Sequence, residues 1–86
     1  MEIVVGSVVR SKAGRDKGDY FIVLSREGEY AYLANGELRK VDHPKKKKLK
    51  HIQKTNHFAE QIKNRLEAGE VVENFEVRKA LAEYLN

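Results

Sequence analysis

The sequence predicts a mostly β fold with α: a small barrel of short strands over residues 1–54, then a helical hairpin over residues 55–86. Three observations predict it. Up to Ile52 the apolar residues come in short β-type runs punctuated by turn residues. From Asn56 onward they recur at helical spacing. The charge balance changes at the same place: residues 1–54 hold 13 cations against 7 anions, and residues 55–86 hold 4 against 6. A net +6 beside a net −2 points to one half that meets a polyanion.

In chain order, Val8-Val9 leads into Arg10-Ser11-Lys12 as a first strand. The segment Ala13 to Gly18, with two glycines, reads as a loop. Tyr20 to Leu24 is a near-continuous run of aromatic and β-branched residues, as in a strand covered on both faces or a barrel strand. Arg26 to Glu29 is a tight connection, and Tyr30 to Ala34 a third strand. Asn35-Gly36 is the strongest hairpin signal, because both residues tolerate the positive φ of a type I′ turn. Leu38 to Val41 and Leu49 to Ile52 are the remaining strands. Between them, Pro44 and the run Lys45 to Lys48 read as a loop or an edge, since proline donates no ladder hydrogen bond. Five short strands in so few residues favour a sheet that hides its edges by closing.

In the tail, Phe58, Ile62 and Leu66 fall at i, i+4 and i+8 on one stripe, with Asn56 as N-cap and Gly69 as the stop. A second helix follows Val71-Val72, with Asn74 as N-cap and Val77, Leu81, Tyr84 and Leu85 as its apolar face. Isolated helices below ~12–15 residues are marginal in water, so this pair must cap the barrel or meet a partner.

A chain of 86 residues buries only about 60–70% of its unfolded surface, which leaves little room for a large catalytic cavity. There is no cysteine, so disulfides, thiolate zinc sites and cysteine nucleophiles are excluded. The start has neither a basic n-region nor a long apolar stretch. No apolar run approaches the ~20 residues of a membrane span, so a cytoplasmic protein without a membrane partner is expected. His43, His51 and His57 are spaced like no common metal site. No serine carries a nucleophile signature, and the carboxylates are interleaved with cations. The expectation is therefore no enzyme, no metal and no cofactor.

The residues that could bind are the basic ones. Lys45, Lys46, Lys47, Lys48 and Lys50 place five cations in six positions; such a run either grips phosphates, releasing counterions, or lies solvated along an edge. Arg15 and Lys17 put charge at the tip of the two-glycine loop, whose N–H groups can form an anion-binding concavity or an ordinary turn. Tyr30 and Tyr32 could stack on unpaired bases, but burial is the stronger claim on aromatics in so small a domain. Tyr20, Phe21, Phe58 and Phe75 are assigned to packing. His51 reads as a donor to phosphate or to its own backbone.

The stretch Val4 to Gly18, with its alternating hydrophobics, its Gly14-x-x-x-Gly18 spacing and Lys17 before the second glycine, resembles the KOW motif. That motif occurs in large-subunit ribosomal proteins and NusG-type elongation factors. The run Tyr20 to Leu24 is similar to the motif's second strand. The stretch from Arg39 through the lysines to Ile52 looks like a ribosomal KOW protein. The tail looks like the extension of stand-alone bacterial KOW proteins. Asp19-Tyr20-Phe21 departs from the glycine that many KOW sequences carry there. The resemblance covers residues 4–54 and implies an SH3-like barrel that binds RNA, usually ribosomal RNA. The implied contacts are Arg15, Lys17, Gly18, Lys45, Lys46, Lys47, Lys48, Lys50 and His51, with Arg10, Lys12, Arg39 and Lys40 behind them, all converging on one basic face. The alternative partner is a protein of the transcription or translation machinery.

Overall fold

The structure, a computed structural model, describes residues 2–86. Five antiparallel strands form one sheet: β1 (Ser7–Ser11), β2 (Tyr20–Glu27), β3 (Tyr30–Ala34), β4 (Lys45–Lys48) and β5 (Ile52–Phe58), in the spatial order β4-β3-β2-β1-β5. A single 3-10 turn, Leu49–His51, joins β4 to β5. Helices α1 (Glu60–Glu67) and α2 (Asn74–Leu85) follow. Among the described residues, no helix is long and apolar enough to cross a membrane.

Strand alternation sorts the apolar residues of β1 and β2 into two cores. Val8 and Ile22 face the helices and pack with Ala59, Ile62, Val72, Val77 and Leu81. Val9, Phe21 and Val23 face the other way and pack with Ala31, Leu33 and Ile52. The unbroken hydrophobic run in β2 is explained by this: both of its faces are covered. A one-residue register shift between Val23 and Ser25 lets β2 bend as it leaves the core.

Of the two alternatives for the lysine run the edge is the one found, and two other expectations are corrected. The lysine run is itself the edge strand β4, pairing Lys45, Lys46, Lys47 and Lys48 with Leu33, Tyr32, Ala31 and Tyr30. Leu38 to Val41 is therefore not a strand, because the free edge of β3 is taken and the segment's polar groups are satisfied elsewhere. Asn35 Oδ1 accepts the N–H groups of Glu37 and Arg39, and Asn74 Oδ1 accepts that of Val41 at 2.8 Å. Asn35-Gly36 is likewise no type I′ hairpin, since among the described residues none other than glycine, and so not Asn35, has positive φ. Gly36, at φ +80°, is instead the seat of α2: a Cβ there would lie 2.5 Å from the Asn74 carbonyl oxygen. Arg78 Nη1 donates to the Gly36 carbonyl at 2.8 Å from the same helix.

The first helix begins later than its apolar spacing suggests. Asn56 is still in β5, which stays paired with β1 as far as Ser7–Phe58, and Ala59 N–H donates to the Gly6 carbonyl. Ala59, not Asn56, is the N-cap. The boundary expected at residue 54 thus falls inside a strand. Gly69 does end α1: its N–H donates to the Leu66 carbonyl and that of Glu70 to the Arg65 carbonyl, the two bonds of a Schellman motif. Glu73, rather than Asn74, caps α2, with the Glu76 side chain accepting the Glu73 N–H at 2.8 Å. Phe75, assigned to packing, is 58% exposed, and Leu85 is exposed too. Arg65 ties the helices together through Glu70, Glu76 and the Val71 carbonyl.

Candidate nucleic-acid interface

The two-glycine loop is built around its own anion. Asp16 turns inward, where Oδ1 accepts hydrogen bonds from Ser11 Oγ and Lys47 Nζ, both at 2.7 Å. Lys45 Nζ lies 2.9 Å from Oδ2 as an ion pair, off the alignment of a formed hydrogen bond. Lys47 Nζ also donates to the Ala13 carbonyl at 2.7 Å. Burial by itself would raise the Asp16 pKa; the Lys47 and Ser11 hydrogen bonds and the neighbouring Lys45 outweigh it and hold the carboxyl far below the usual range. The N–H groups of Lys17, Gly18 and Asp19 are consumed by the carbonyls of Gly14, Ser11 and Asp16. Those three N–H groups are therefore not available to an external anion. What it presents outward is the exposed Arg15 and Lys17.

Strand alternation divides the lysine run. Lys47 is only 8% exposed, so its charge is spent inside the protein, and Lys45 leans on Asp16. Lys46 and Lys48 point to the opposite face. There Lys46 Nζ sits 4.6 Å and Lys48 Nζ 5.9 Å from the centre of the Tyr30 ring, within cation–π range. Among the described residues neither forms an ion pair, while four other Lys or Arg contacts to carboxylates do form.

The remaining expected residues fall into three groups. Arg15, Arg39 and Lys45 line a cleft of about 340 Å³ beside the glycine loop, with Phe21 and the 86%-exposed Leu38 in its wall. Lys12 and His51 meet through the backbone, the Lys12 N–H donating to the His51 carbonyl at 2.8 Å, with the exposed Lys50 beside them. Arg10 lies against Gly18, close enough that a Cβ on Gly18 would sit 3.7 Å from its Nη2. Lys40 is exposed. Within the lysine run itself, Lys45 and Lys47 leave β4 on one face and Lys46 and Lys48 on the other.

Sequence reasoning missed one feature. Arg10 also lines an open groove of about 710 Å³ with Tyr20, Lys54, His57 and Tyr84. Its residues come from three strands and the end of α2, and no local spacing announces that meeting. Only the helical period of Val77, Leu81 and Tyr84 gave a hint, and it was read as packing alone. Among the described residues, no three His, Asp or Glu side chains are grouped to hold a metal ion. A scan against protein-family models and a search of curated protein sequences gave no match to this chain.

Proposed function

We propose that this protein is a non-catalytic RNA-binding module of the SH3-like KOW type, acting in the cytoplasm on ribosomal RNA or a ribosome-associated structured RNA. The barrel part of this reading is supported by connectivity. β4 and β5 are opposite edges of the sheet, yet only Leu49–His51 separates them. Five flat strands at about 4.8 Å spacing would put those edges roughly 19 Å apart, so so short a link favours a curled sheet. The core of Val9, Phe21, Val23, Ala31, Leu33 and Ile52 is buried with no helix residue in it, as a sheet closing on itself would achieve. The resemblance of residues 4–54 to the KOW motif points the same way.

One observation carries the functional part: Lys46 and Lys48 flank the Tyr30 ring on an exposed edge strand and lack carboxylate partners. Two free ammonium groups beside an aromatic plane suit a nucleic-acid backbone with an accessible base. Arg15, Lys17 and Arg39 extend the positive surface around the glycine loop, and Arg10, Lys12, Lys40 and Lys50 add long-range attraction. Structured RNA is selected chiefly by shape and backbone, and lysine contacts to phosphate carry little sequence information.

Fluorescence anisotropy with a labelled RNA stem-loop tests this. Engagement of ~6–10 phosphates lowers affinity ~10³–10⁵-fold between about 50 and 200 mM salt. Lys46→Gln with Lys48→Gln weakens binding to many RNAs together and lowers the salt slope by about 2. Absence of binding at low salt, or salt-independent binding, overturns the reading. Cellular crosslinking that recovers a polymerase or another protein and no RNA favours the protein-interaction alternative.

A further inference from the structure

A second, chemically different site lies where the end of α2 passes over β1 and β5. Register places Arg10 opposite both Tyr20 and Gln53, so these three project from one face of the sheet. Tyr84 descends onto them from α2. Its ring centre is 5.6 Å from that of Tyr20 and 4.9 Å from that of His57, making an aromatic wall. Arg10 supplies a cation on this face, and the groove's polar remainder is the amides Gln53 and Asn56 with Thr55; no carboxylate lines it. The neighbouring groove between α1 and α2 has the other balance, with Glu60, Glu76 and Glu83 against the single cation Lys79 in its lining. An anionic ligand is thus favoured at the first groove and disfavoured at the second.

We propose that the groove formed by Arg10, Tyr20, Gln53 and Tyr84 seats an unpaired nucleotide of single-stranded RNA, an inference that rests on the RNA-binding reading and adds the conformation of the ligand. Rings bordering the groove match the π-face of a base. The amides can both donate to and accept from a base edge, which an acidic peptide would not need. Arg10 neutralises a flanking phosphate. A paired duplex cannot use the site, because its bases are stacked inside the helix.

The test is NMR titration of the full chain with hexa-adenylate and, separately, a fully paired RNA duplex. Hexa-adenylate is expected to shift the ring signals of Tyr20, His57 and Tyr84, and the duplex to leave them in place. Tyr84→Leu keeps apolar bulk over the core and is expected to weaken single-strand binding by about 5–100-fold with duplex affinity unchanged. Gln53→Ala, at an exposed position that leaves the packing intact, is expected to weaken it by about 2–10-fold. If hexa-adenylate binds while those rings stay silent and both variants bind normally, the groove inference falls and RNA binding stands. If neither RNA binds at low salt, both fall. If hexaglutamate shifts the same rings at lower concentration than hexa-adenylate, the groove belongs to an acidic peptide and the inference is overturned.

Discussion

Asp16 shows how a single side chain reassigns its neighbours. It is 12% exposed and meets two ammonium groups and a hydroxyl, so it converts two lysines of a basic run into structural residues. Asp16→Asn leaves Lys47 with an uncompensated charge and is expected to cost about 3 kcal/mol in urea denaturation at neutral pH. The pH dependence has a definite sign. The folded-state pKa of Asp16 is depressed from an ordinary value of 3.8, so its contribution is complete above that value. It is lost as pH falls below 3.8 toward the folded-state pKa, because the unfolded chain takes the proton first. Asp16→Asn lacks this loss, so the gap in stability between the two proteins narrows as acid is added. Lys47→Gln is expected to destabilise by about 1–3 kcal/mol. The Lys46→Gln and Lys48→Gln pair, on the other face of the same strand, should stay within about 0.5 kcal/mol of the parent.

At the scale of elements, the decisive junction is α2 on the segment after β3. Gly36 allows it twice over, by its positive φ and by lacking a Cβ where the Asn74 carbonyl and the Arg78 side chain approach. Gly36→Ala is expected to destabilise by more than about 2 kcal/mol, read as a lowered midpoint in thermal or urea unfolding. Within α2 the burial pattern separates two apolar residues that look alike in sequence. Leu81→Ala removes a buried contact to the helix-facing core and is expected to cost about 2–5 kcal/mol. Phe75→Ser touches an exposed ring and is expected to change stability by no more than about 0.5 kcal/mol. The sequence placed Leu81 on the apolar face and assigned Phe75 to packing as well; only the direction from which the sheet approaches α2 distinguishes them.

At the scale of the molecule, the helices are part of the fold and not an appendage. Val8 and Ile22 are fully buried under Ile62, Val77 and Leu81, while Val9 and Phe21 of the same strands face the other core. The two cores share β1 and β2 and should unfold together. Far-UV circular dichroism and tyrosine fluorescence are expected to give coincident denaturation curves for the whole chain. A truncation ending at Ala59 would bare Val8 and Ile22, and is expected to lose that cooperative transition. Two separate transitions in the intact protein would show independent units instead.

By itself the sequence determined which segments lie inside. The β2 run, the alternation in β1 and β3, the Gly69 helix stop and the apolar spacing of Val77 and Leu81 are local signals, and local backbone and side-chain preferences suffice to read them. It also marked the basic residues, but not their use. Whether a lysine faces a phosphate or an internal carboxylate depends on register between strands far apart in the chain, as Lys47 and Asp16 show across 31 positions. The same holds for Leu38 to Val41, whose hydrogen bonds go to the Asn35-Gly36 turn and to Asn74 of α2 and not to a sheet, and for the meeting of Arg10 with Tyr84. These pairings were settled by which surfaces were left to cover and which polar groups were left to satisfy once the sheet had formed. Only the assembled structure contains that information.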